Sequence, residues 1–179
     1  AIAKDTVDSV MGVDKLSSDA DMWKSDEYLP TSTVLFASTA GPVPTKDSNP
    51  KIGAQVSSMS AWIVTNQFGS SALTSSTDLK SAFASLVSGQ VQYVAADAVI
   101  GTYAAYISDT PVVMVAQLSQ PSGYCIAVSD KNTQLKQAVS TALKSLISGG
   151  VVKVVENKWL GTTIDQSNVQ LTEGAKAAT

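Results

Sequence analysis

From about residue 51 onward, short apolar stretches that suit strands alternate with amphipathic stretches that suit helices. That alternation restricts this part of the chain to an α/β architecture. Residues 51–55 read as a strand, and Val56-Ser57-Ser58 then offers a serine cap for a helix. The helix is expected to bury Met59, Trp62 and Ile63 and to stop near Gly69. Ser75-Ser76-Thr77-Asp78 has the form of a capping box for a second helix, striped by Leu79, Ala82, Phe83, Leu86 and Val87 and ended by Gly89. Residues 91–96 form the next expected strand, Asp97 opens a helix to about Ile107, and 112–115 is a strand again. Another strand is expected at 124–128, then a long helix over about 133–147 with Leu135, Val139, Leu143 and Leu146 on its apolar face. Gly149-Gly150 breaks it, and Val151, Val154, Val155 and Trp159 sit at helical spacing before Gly161. The polar, Ala-rich residues after Asp165 are expected to be irregular.

The first fifty residues differ. Strands fit 7–13 and 33–36, whereas Gly41-Pro42-Val43-Pro44 and Asn49-Pro50 are turn chemistry. This stretch is too short to be a complete α/β lobe. The opening residues Ala1-Ile2-Ala3-Lys4-Asp5 lack the apolar core of a signal peptide and an initiating Met, so the expectation is a processed chain or part of a longer one.

Composition narrows the chemistry. The chain has no Arg and no His, and its net charge is −3. Without Arg there are no guanidinium forks for phosphate or base edges, and nucleic acid is not an expected partner. Without His, the commonest general base, metal ligand and nucleophile partner are all missing. The single Cys125, inside the apolar run Tyr124-Cys125-Ile126-Ala127-Val128, forms no internal disulfide or zinc cluster and reads as a small core residue. No cofactor or metal is expected. No apolar run approaches the length of a membrane span.

The ordered set of motifs resembles the polar amino-acid family of ABC-transporter substrate-binding proteins. The residues that carry it are Ser88-Gly89 through Asp97, the run 124–128, Leu146-Ile147-Ser148-Gly149-Gly150 and Glu156-Asn157-Lys158-Trp159-Leu160-Gly161. Upstream, Ser25-Asp26-Glu27-Tyr28 is similar to that family's "F-S-x-P-Y", and 5–13 to its "D-A-x-x-x-x-M-S-I". The resemblance implies a periplasmic-binding-protein-like type II α/β fold, with one complete lobe plus a partial second lobe joined by two hinge strands. The implied boundaries are 1–32 and 130–179 for the partial lobe one, 33–38 and 125–129 for hinge strands running side by side, and 39–124 for lobe two with a mostly parallel sheet. It further implies an extracytoplasmic protein, in the periplasm or lipid-anchored at the cell surface. A small solute and an ABC permease would be its partners. The family's opening strand, helix and second strand have no counterpart here. The apolar helices after 130 are therefore expected to need either an N-terminal segment or a second copy over them.

Site residues follow from the same resemblance. The family's "Q-x-G-T-[ST]" turn corresponds to Gln55-Val56-Ser57-Ser58-Met59, at a helix start whose free N–H groups suit a carboxylate; a plain serine cap is the simpler reading. Asp97 matches the Asp that pairs with a substrate ammonium, and it sits at the strand-end edge where open α/β sheets bind ligands; it is also a natural helix cap. In lobe one, Gly12 and Asp14 fall in the segment matching "G-M-S-I-T-x-x-R". Ser17 or Ser18 stands near the family's Arg, so the bidentate carboxylate clamp is missing. Asp14 suits a cationic or polyhydroxylated solute, or is a solvated surface acid. Three other readings share the fold: a ligand-sensing receptor lobe, a scaffold that binds nothing, and a dehydratase-like enzyme. The only candidate dyad, Ser48 and Lys51, is disfavoured by Pro50, and an enzyme is not expected.

Overall fold

The computed structural model describes residues 2, 6–18 and 21–177, so the reading of Ala1, Ala3, Lys4 and Asp5 lies outside the described residues. In chain order, the strands before the first long helix are β1 (Ser9–Asp14), β2 (Met22–Lys24), β3 (Leu29–Thr31), β4 (Thr33–Ala37) and β5 (Ile52–Gln55). There follow α1 (Met59–Phe68), β6 (Leu73–Ser76), α2 (Leu79–Val87), β7 (Tyr93–Asp97), α3 (Ala98–Ile107), β8 (Val113–Gln117) and β9 (Ser122–Ser129). The chain ends in α4 (Thr133–Ser148), α5 (Val151–Leu160) and α6 (Glu173–Lys176). It divides into two compact units, Ala1–Thr31 with Ser122–Ile164 and Ser32–Pro121 with Asp165–Thr179.

The second unit is a five-stranded sheet in the order β6-β5-β7-β4-β8. β5 runs parallel to β6 and β7, and β4 is antiparallel to β7 and β8. One strand is thus reversed within the expected parallel sheet. Period-two alternation assigns each residue of β4 a face. Leu35 and Ala37 pack with Ile52, Ala54, Ala61, Val64 and Phe68 on the α1 side. Phe36 points the other way and meets Phe83 edge-on, with ring centroids 5.6 Å apart. Gly101 of α3 is needed for this packing, because a Cβ there would stand 2.3 Å from the Phe36 ring. Four of the five β4 residues are buried, so apolar burial on both faces is what seats β4 inside the sheet.

The first unit is built on β9, which pairs antiparallel with β1, β2 and β3. Cys125, Ala127 and Val128 are fully buried there. The Cys125 thiol donates to the Val13 carbonyl at 3.1 Å, and burial pushes its pKa up, as expected of a core residue. α4 is capped by the Asn132 side chain, which accepts from the Leu135 N–H at 3.1 Å. Beyond Gly149, Gly150 takes φ +74° and opens α5, bent 70° from α4. The buried Glu156 carboxylate accepts from the Ile164 N–H at 3.0 Å.

Several expectations change. Residues 33–37 and 125–129 each pair within a sheet of their own unit. β4 is an interior strand of one sheet and β9 the middle of the other. The tail drawn into lobe one and left irregular joins the second unit, where Leu171 bridges Gln117 and α6 forms. β6 was missed because Leu-Thr-Ser-Ser carries one apolar residue; the strand exists through its pairing with β5. On α1 the buried stripe is Ala61, Val64 and Phe68, while Met59 and Trp62 are 67% and 62% exposed. Small Ala61 lets the helix approach the sheet, and the large side chains one stripe away stay outside. On α4 only Leu143 of the expected face is buried. Leu146, Val151, Val154, Val155 and Trp159 remain exposed.

Candidate functional site

The C-terminal ends of the parallel strands β5, β6 and β7 define one edge of the second unit's sheet. β5 gives way to a tight turn in which the Ser58 N–H donates to the Gln55 carbonyl at 3.3 Å. Ser57, the third residue of the turn, has φ +58°. A Cβ makes this left-handed conformation cost about 1 kcal/mol, which is why a glycine suits the position. Ser58 then caps α1, its hydroxyl oxygen accepting from the Ala61 N–H at 3.1 Å. The Met59 and Ser60 amides open the helix, where no intrahelical acceptor exists.

One strand away, Asp97 ends β7 and caps α3. Its Oδ1 accepts from the N–H groups of Val99 at 2.9 Å and Ile100 at 3.0 Å. Because Ala54 pairs with Ala95 in parallel register, the turn after Gln55 and the Asp97 carboxylate lie at neighbouring strand ends. A carboxylate and a helix N-terminus in that relation offer opposite electrostatic ends to a zwitterion. Gln55, Ser57, Ser58, Met59 and Asp97 are therefore brought to one edge.

Gly12 and Asp14 belong to the other unit. Gly12, at φ +77°, sits where β1 bulges between Met11 and Val13. Asp14 closes β1: its Oδ1 accepts from the Leu16 N–H at 2.8 Å and the Ser122 hydroxyl at 2.5 Å. Its backbone carbonyl accepts from the Ser17 hydroxyl and the Lys24 ammonium. Asp14 thus has a local structural task.

Sequence reasoning missed the polar residues at the start of β4 and the end of β8. Ser32 and Gln117 are almost fully buried, and the Ser32 hydroxyl donates to Gln117 Oε1 at 3.1 Å. Ser119 accepts from the Thr33 N–H at 2.9 Å. Val34 pairs with Gln117 and Thr33 with Asp97, so these groups share the Asp97 edge. No motif signals them. Trp62 was read as core because it sits at helical spacing. Among the described residues no cluster of three or more His, Cys, Asp or Glu side chains could hold a metal. Among the described residues no single helix is long and apolar enough to cross a membrane.

This two-sheet α/β architecture matches the periplasmic-binding-protein-like fold. No protein-family model and no curated protein sequence matches the chain. Solved structures do. An ancestral cationic amino-acid solute-binding protein superimposes with a TM-score of 0.73 at 18% identity, over 89% of this chain and 72% of its own. The L-cystine solute receptor of Neisseria gonorrhoeae gives 0.71 at 17% identity, over 91% and 71%. A histidine kinase sensor domain similar to periplasmic binding proteins gives 0.59 at 19%, over 92% and 74%. At these identities the likeness establishes the fold.

Proposed function

We propose that the chain is the solute-binding component of an ABC importer, working outside the cytoplasm with an ABC permease and holding a polar amino acid or related amine-bearing solute. The carrying observation is the pairing of the Asp97 carboxylate with the α1 N-terminus at adjacent strand ends. Asp97 would take the solute ammonium. The Met59 N–H and the hydroxyls of Ser57 and Ser58, beside Gln55, would take its carboxylate or a hydroxyl. Gly12 and Asp14 would be the first unit's contribution, with Asp14 favouring cationic or polyhydroxylated solutes. No guanidinium exists anywhere in the chain, so selectivity rests on the ammonium end rather than on a carboxylate clamp. No step of this function needs a cofactor or a bond-making group.

A further polypeptide segment over the α4–α5 face, from an N-terminal region or a second copy, belongs to the same reading. The exposed Leu146, Val154, Val155 and Trp159 form an apolar face on one unit. About a quarter of each neighbour's chain also lies outside the match. Residues 131–164 hold five lysines and a single acidic residue, the buried Glu156, which favours an acidic covering segment.

A sensor lobe is the second reading, favoured by the histidine kinase neighbour. Thermal-shift screening against amino acids, amines and sugars, with native mass spectrometry of the purified protein, tests the proposal. A solute present at a hundred times its Kd stabilises the protein by about 2.7 kcal/mol, so amine-bearing solutes should raise the midpoint clearly. No shift with any compound, and no co-purified small molecule, would leave a scaffold that binds nothing.

A further inference from the structure

The tail after α5 is fastened to the second unit chiefly by glutamine amides. Gln117 donates its Nε2 to the Val169 carbonyl at 2.6 Å and to the Gln166 carbonyl at 3.3 Å. Its backbone N–H donates to the Gln170 carbonyl and its carbonyl accepts from the Thr172 N–H. Gln120 Nε2 reaches the Ala175 carbonyl at 2.9 Å, and the Thr172 hydroxyl donates to Gln67 Oε1 at 2.7 Å. β8 is the terminal strand of its sheet, so the tail occupies an edge that would otherwise present unpaired backbone groups.

One bond of this set leads to the candidate site. Gln166 Nε2 donates to the Ser32 hydroxyl at 3.0 Å, and Ser32 in turn donates to Gln117. The Ser32 carbonyl accepts from the Ala98 N–H at 2.9 Å, the first residue of the helix that Asp97 caps. Gln166 Oε1 is buried and has no hydrogen-bond partner among the described residues. A buried amide that leaves one oxygen unsatisfied is a poor contributor to stability. Its presence is explained by where its nitrogen points.

We propose that residues 165–177 act as a latch, and that Gln166 is a positioning residue which, through Ser32, sets the corner formed by Asp97 and the start of α3. Opening the latch loosens that corner without unfolding the sheet, since the Phe36–Phe83 ring contact is made between β4 and α2 and uses no tail residue. The latch is independent of what the edge binds; only its consequence for solute affinity rests on the function proposed above.

Native-state hydrogen exchange on the whole chain reads this without any ligand. In Gln166→Leu, exchange at Ala98, Val99 and Ile100 should quicken about five- to tenfold, the scale of one lost hydrogen bond. The global unfolding midpoint should hold or rise, because a buried unpaired oxygen has been removed. Ser32→Ala should reproduce the local change should Gln166→Leu fail to fold. Gln120→Ala, which cuts only the far end of the tail, should leave those three amides within about twofold. Unchanged exchange at 98–100 in both Gln166→Leu and Ser32→Ala would overturn the proposal. So would acceleration spread evenly across the second unit in step with a lowered midpoint, which is the signature of lost stability alone.

Discussion

Asp97 is asked to do two things, and two substitutions separate them. As a cap it accepts two N–H bonds, from Val99 and Ile100. Removing them in Asp97→Ala should cost about 1 kcal/mol, within the 0.5–2 range of capping losses. For a unit of this size that is a fall of about 4–8 °C in Tm. Asn caps a helix as well as Asp does, so Asp97→Asn should keep the unfolding midpoint within about 0.5 kcal/mol of the parent. It removes the charge, however, and with it the charge-assisted bond to a solute ammonium. Calorimetry with an amine-bearing compound selected by thermal shift should show Asp97→Asn weakened by roughly 1.5–3 kcal/mol, about 10- to 150-fold in Kd. Urea unfolding supplies the other half of the comparison. Unchanged affinity in Asp97→Asn beside a destabilised Asp97→Ala would assign Asp97 to capping alone and remove the ammonium partner from the proposed site.

Gly101→Ala should destabilise the second unit by about 1–3 kcal/mol, because the new Cβ would meet the buried Phe36 ring at 2.3 Å and 2.7 Å; an unchanged urea midpoint would show that α3 can move away freely. Asp78 caps α2 through the Ser81 N–H at 2.7 Å, and that bond holds its pKa below the ordinary 3.8. Its contribution is therefore complete above about pH 4 and lost as pH falls through the depressed value, so Asp78→Asn should flatten the acid limb of stability below pH 4; identical acid limbs would refute this. Cys125 should react with iodoacetamide only after unfolding at pH 8, since its thiol is buried and its pKa raised. Mass spectrometry showing rapid labelling of the native protein would place it at an accessible surface instead.

Local signals were enough for much of this molecule. Alternating apolar runs and amphipathic stretches located α1, α2, α3, α4 and α5 nearly to the residue, because caps such as Asp78, Asp97 and Asn132 and breakers such as Gly69 and Gly149 act on their own neighbours. Asp97 and the Ser57-Ser58 turn were legible for the same reason, each standing where a strand ends and a helix starts. Which stripe of a helix is buried was not local. Met59 and Trp62 have the periodicity of a core face, yet the sheet receives Ala61, Val64 and Phe68. The choice depends on how closely the backbones approach.

Strand partnership was also beyond the sequence. Thr33–Ala37 and the strand ending at Ser129 both read as apolar connections between lobes, and only pairing energies across the two sheets made each an interior strand. The tail shows the same limit most clearly. A polar, Ala-rich segment has no periodicity to report, and it is ordered by amides of Gln67, Gln117 and Gln120, whose bonds to Gln166, Val169, Ala175 and Thr172 span 49 to 105 residues of sequence. Hydrogen bonds of that span form only after the sheet has fixed both partners, which is why propensity and pattern located the helices while tertiary structure alone decided where the tail lies.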